Sequence, residues 1–118
     1  MAGDANTPRK ASAKLLKQQL HSLQLTAGIL IKSTRSYKRS GKPDGRKQTD
    51  VATVCGTTQT DMSRIENGSF LPGDPMLQKI LVECGFDVSK PGGASFLKLL
   101  KLIRDEASNI DKIKNEKP

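Results

Sequence analysis

Leu15, Leu16, Leu20 and Leu23 recur at helical spacing through residues 11–24, with Lys and Gln between them. That spacing predicts an amphipathic helix. Leu23, Ala27, Leu30, Thr34 and Tyr37 carry the same period onward, so a second helix follows or the first runs on. It should end near Gly41, where "GKPDG" is turn chemistry. Residues 1–10 are small and polar, contain Pro8, and read as a disordered arm. "QTDVATVC" (48–55) predicts a short helix with Val51, Ala52 and Cys55 on one face, ended by Gly56. Thr58 is a good N-cap for the next helix, with Asp61 at N3, and that helix should close near Asn67 and Gly68. "SFLPG" is a loop. Asp74 then caps a helix with Pro75 in its first turn and Leu77, Ile80, Leu81 and Cys84 on one face, and Gly85 stops it. "DVSKPGG" reads as a linker. "ASFLKLLKLIRDEA" predicts a last strong helix with Phe96, Leu99, Leu100 and Ile103 on one stripe. Residues 109–118 are charged and should fray. No segment reads as a strand, so the fold class is all-α.

One helix in this series is odd. "GTTQTDMSRIENGS" (56–69) holds only two large apolar residues, Met62 and Ile65, three apart. Two short helices separated by "GTT" must cross steeply, which is a helix-turn-helix. Met62 and Ile65 then face Val51 and Cys55, and Ala52 allows close approach. The remaining surface of that helix is left for something other than protein. Gln59, Thr60, Ser63 and Arg64 supply hydrogen-bonding side chains suited to base edges.

Charge points the same way. The chain has 118 residues and a net charge of +8. Residues 1–47 hold eleven Lys/Arg against two acids, a balance of +9, and residues 48–118 hold nine against ten, a balance of −1. A basic half beside a neutral half indicates a polyanion partner. Lys38, Arg39, Lys42, Arg46 and Lys47 cluster just before "QTDVATVC" and read as a clamp on the phosphate backbone.

"KQTDVATVCGTTQTDMSRIENGSFLP" resembles the helix-turn-helix of the Cro/CI (XRE) family, and "GTTQ" is similar to the run in lambdoid phage repressors. Gln48, Ala52, Gly56, Ile65, Glu66, Asn67 and Gly68 match in register. The resemblance spans roughly residues 28–88. It implies a lambda-repressor-like helix-turn-helix domain over 25–88. To this are added a basic N-terminal arm and helix (1–24) and a C-terminal helix with a charged tail (89–118), a possible dimerisation element. It implies that Gln48 contacts a phosphate and buttresses the reading helix, and that Gln59, Thr60, Ser63 and Arg64 read bases. Thr58 and Asn67 lie near the backbone, and Glu66 pairs with a basic residue of helix 1, for which Arg35 is the candidate. The connection before Gln48 is several residues longer than the family's.

The function expected from this is sequence-specific binding of double-stranded DNA by a transcriptional regulator. It should be a repressor acting as a homodimer on a palindromic operator, because one reading helix contacts few base pairs. "FLKLLKLI" is the first candidate for the dimer contact and "LLKQQLHSL" the second. The alternative is an antitoxin or anti-activator that binds a protein partner with the same fold. The sequence holds no catalytic triad, phosphate loop or metal-ligand cluster, so neither an enzyme nor a cofactor is expected. Four aromatics are too few to stack single-stranded nucleic acid. No apolar run reaches membrane-spanning length and the N-terminus has no secretory h-region, so a cytoplasmic protein with reduced Cys55 and Cys84 is expected.

Overall fold

The computed structural model describes residues 6–37 and 45–114, with side chains over 11–37 and 45–112. Five helices follow in order: α1 (Asn6–Ser36), α2 (Gln48–Cys55), α3 (Gln59–Glu66), α4 (Asp74–Cys84) and α5 (Pro91–Lys114). No strand occurs among the described residues. The all-α expectation is therefore borne out.

α1 is one helix of 31 residues where two were an option. It begins at Asn6, inside the stretch read as a disordered arm. Pro8 is no obstacle there, because the first-turn N–H groups lack intrahelical acceptors anyway. α5 also exceeds its expected length at both ends. It starts at Pro91, a residue pre-set for a first helical turn, and so absorbs part of the expected linker. It runs past residue 109 because Ile110 is buried and Lys17 of α1 pairs with Asp111. That pair and the sharing of Ala27, Ile31, Leu97 and Leu100 in one core make α1 and α5 antiparallel neighbours.

The core forms where α2, α3 and α4 pack on this pair. Ile31, Val51, Met62, Ile65, Leu77, Ile80, Leu81 and Leu100 are all shielded from solvent. Burial of each such side chain contributes roughly 1.5–3 kcal/mol. Phe86 stacks on Phe96 at 4.9 Å between ring centroids and closes the α4–α5 corner. Gly56 ends α2 at φ 76°, a left-handed turn that sends the chain straight into the cap of α3. Gly85 ends α4 in the same way at φ 113°.

One cap differs from expectation. Asp74 is the first residue of α4 and not its cap, which is Gly73. The Asp74 carboxylate accepts instead from Arg104 of α5 at 2.6 Å, while Arg104 also donates to the Pro72 carbonyl at 2.9 Å. The hydrogen bond to Asp74 is the main influence that raises the Arg104 pKa.

Candidate nucleic-acid interface

α3 is positioned by three contacts. Thr58 Oγ1 accepts from the Asp61 N–H at 3.1 Å, so the capping position holds as expected. Met62 and Ile65 enter the core. Gly28 of α1 lies so close that a Cβ there would stand 2.3 Å from the Glu66 carbonyl oxygen. Only glycine allows the two backbones to meet in this way.

The end of α3 is locked by a buried polar network. Arg35 Nε donates to Glu66 Oε2 at 2.6 Å and Arg35 Nη2 to Glu66 Oε1 at 2.9 Å, with both side chains buried. Gln48 Nε2 donates to the same Oε1 at 3.0 Å. Arg35 Nη1 reaches the Arg46 carbonyl at 2.6 Å. The hydrogen bond to Glu66 is the largest influence on Arg35 and raises its pKa against the opposing effect of burial. The Arg35–Glu66 pairing expected from the resemblance is present. One acidic residue thus ties α1, α2 and α3 together.

Gln59, Thr60, Ser63 and Arg64 are exposed on one side of α3. With Gln48 they line a shallow concavity of about 310 Å³. A neighbouring concavity of about 470 Å³ is lined by Lys32, Arg35, Lys47, Gln48, Thr49 and Gln59. Gln48 and Gln59 are shared, so the two form a continuous polar surface edged by two lysines. Arg64 meets Asp61 only at 3.9 Å, in an exposed and weak pair.

Not every expected residue joins this surface. Arg46 Nη1 donates to Glu83 Oε2 at 2.6 Å, which draws its guanidinium toward α4. Asn67 Oδ1 accepts from the Ser69 N–H at 3.1 Å and from Ser69 Oγ at 2.6 Å, so its oxygen shapes the turn after α3. Lys38, Arg39 and Lys42 lie outside the described residues. Lys32 and Thr49 were not among the sequence candidates. Lys32 lies one turn before Arg35 on α1, and that spacing was the available signal.

Compared with known proteins, one curated relative stands out. The chain is 36% identical over 62 residues to the ImmF control region 10 kDa protein of Bacillus phage phi105. The match covers 52% of this chain and 62% of the phage protein's length. No family model matches the chain, and no solved structure matches it. Similarity to that phage protein is thus carried by about half of the chain.

Among the described residues no group of three or more His, Cys, Asp or Glu is placed to hold a metal ion. Cys55 and Cys84 are buried and form no disulfide. Burial is the main reason the Cys55 thiol pKa is raised. No described helix is long and apolar enough to cross a membrane.

Proposed function

We propose that this chain is a sequence-specific, double-stranded DNA-binding regulator of the Cro/CI type, with α2 and α3 as its helix-turn-helix. The observation that carries the reading is the exposed row Gln59, Thr60, Ser63 and Arg64 on a helix anchored by the buried Arg35–Glu66 pair and by half-buried Gln48. An exposed helix face that bears amides, hydroxyls and a guanidinium, but little apolar surface, suits the donors and acceptors of a major groove. Lys47 and Lys32 edge that face and would neutralise phosphates. The similarity to a phage control-region protein supports a regulatory role in phage genes. One reading helix spans few base pairs, so the reading includes two chains on a two-fold operator.

Selection of bound sites from random duplex DNA tests this directly. The expected result is a defined motif. Gln59→Ala and Arg64→Ala should each relax preference at particular positions and weaken binding by about 1–3 kcal/mol per half-site. Failure to enrich any motif, or variants with unchanged affinity and motif, would overturn the assignment.

A further inference from the structure

We propose that a second copy of this chain docks against one face of the α1–α5 pair, through an antiparallel contact of α1 with α1. This contact forms independently of DNA, and it rests on the proposed function only in supplying the face that joins its two chains.

Leu16, Leu23 and Leu30 are spaced by seven along α1 and are 50%, 48% and 48% exposed. They lie roughly 80° around the helix from the line of buried contacts through Ala13, Ala27 and Ile31. Leu99 and Leu102 of α5, 42% and 53% exposed, lie a similar rotation away from buried Ile103 and Ile110. Because the two helices are antiparallel, these rotations bring both stripes to the same side of the pair.

Charge decides what this face fits. Between the leucines, Ser12, Gln19, Thr26 and Ser33 also repeat every seven residues, and none is charged. Lys14, Lys17, His21 and Lys32 all fall on the other side of α1. Thr26 Oγ1 donates to the Ser22 carbonyl at 3.1 Å, so its donor is satisfied within the helix and its desolvation costs little. The positive surplus of residues 1–47 makes the charged side of α1 repel its copy. Over residues 12–33 of α1, two copies meet on this face without burying a charge from that segment, while on α5 the exposed Glu106 lies on the same side as Leu99 and Leu102. Depletion of charge around an apolar centre marks an interface core.

Symmetry and size agree. A seven-residue stripe pairs with itself antiparallel, with Leu23 at the two-fold axis and Leu16 against the other copy's Leu30, each about 10 Å along the helix from Leu23. The face is roughly 30 Å long and two helices wide, the scale of one side of a standard interface, about 800 Å² per partner. The arrangement sets the two α2–α3 pairs at opposite ends of the joined helices. Leu97, Leu100 and Ile103 of "FLKLLKLI" are taken up by the core, so α1 supplies most of the contact.

The test is sedimentation of the full chain without DNA. Wild type is expected to be a dimer at micromolar concentration. The double variant Gln19→Arg, Thr26→Arg places new charges at two exposed positions and should raise the dimer dissociation constant at least about tenfold. Leu23→Asp should do the same, and the arginine variant decides the matter if the aspartate one fails to fold. His21→Arg, on the other side of α1, should leave the dimer intact. A wild-type monomer, or a dimer indifferent to both face variants, would overturn the proposal. Because DNA is absent, a failed site selection leaves this result standing, and a monomer that still enriches a DNA motif overturns the dimer contact alone.

Discussion

Glu66 is the residue on which three helices depend. Its carboxylate accepts from Arg35, which is buried with it, and from half-buried Gln48. Removing one partner of a buried pair leaves the other charge uncompensated. Glu66→Ala is therefore expected to lower stability by about 3–5 kcal/mol in urea unfolding, a large share of the total for a small domain. Glu66→Gln keeps the shape and one acceptor and should cost less; equal losses would show that the charge carries the whole effect, and small losses in both would show that the pairing contributes little. Cys55 gives a pH signature of opposite character. Burial raises its thiol pKa in the folded state, so the neutral thiol is the form the fold prefers. The associated stability is fully present below the unfolded thiol pKa of about 8.5 and is lost as pH rises through the higher folded value. Cys55→Ala should flatten that alkaline loss in a pH series of unfolding midpoints.

At the scale of elements, the position of α3 is set by how closely it lies on α1. A methyl group at Gly28 would collide with the Glu66 and Ile65 carbonyl oxygens, which are backbone atoms and cannot swing aside. Gly28→Ala gains helix propensity in α1, worth up to about 1 kcal/mol, yet must displace α3. Overpacking should win, with a net loss of about 1–3 kcal/mol in thermal or urea unfolding. If α3 reads bases as proposed, DNA affinity should fall further than stability alone explains, because the exposed polar face moves with α3. An unchanged or higher unfolding midpoint would refute the close contact. The same element shows why part of the sequence pattern was easy to read. Thr58, Asp61 and Gly56 act locally, through hydrogen bonds and backbone angles within a few residues. Gly28 acts on a helix more than thirty positions away, and nothing near it in the chain marks that role.

For the whole molecule, the strong positive charge of the first 47 residues divides among different tasks. Arg35 is buried against Glu66 and Arg46 is held by Glu83, so neither guanidinium is an exposed point charge. Lys47 stays exposed beside Gln48 and Gln59. Lys47→Ala should weaken operator and scrambled duplexes by similar factors and make the slope of log affinity against log salt shallower by about one unit. Titrations at several salt concentrations measure this; a loss on operator alone would mean that Lys47 reads bases. Arg46→Ala is a different case, since it breaks a link between the α2 approach and α4. The basic segment before Gln48 was legible as a cluster of charge. The role of Arg35 was legible through the resemblance, which paired it with Glu66; that of Arg46 was not, because Glu83 comes from a distant part of the chain.

The sequence alone determined the features that depend on near neighbours. The all-α class follows from helical spacing of Leu, Ile and Val, the turn before α3 from Gly56 and Thr58, and the exposed polar row on α3 from the scarcity of apolar residues around Met62 and Ile65. Tertiary packing alone decided the rest. It made α1 continuous from Asn6 to Ser36 and kept α5 helical past Ile110, because each helix gives the other a surface to bury. It turned Asp74 from a cap into a partner for Arg104, it buried Leu97 and Leu100 of α5 while leaving Leu99 and Leu102 exposed, and on α1 it buried Ala13, Ala27 and Ile31 in place of the leucines. Periodicity shows that a helix has an apolar side. Which part of that side meets the core depends on where the other helices lie, and that is a property of the folded chain.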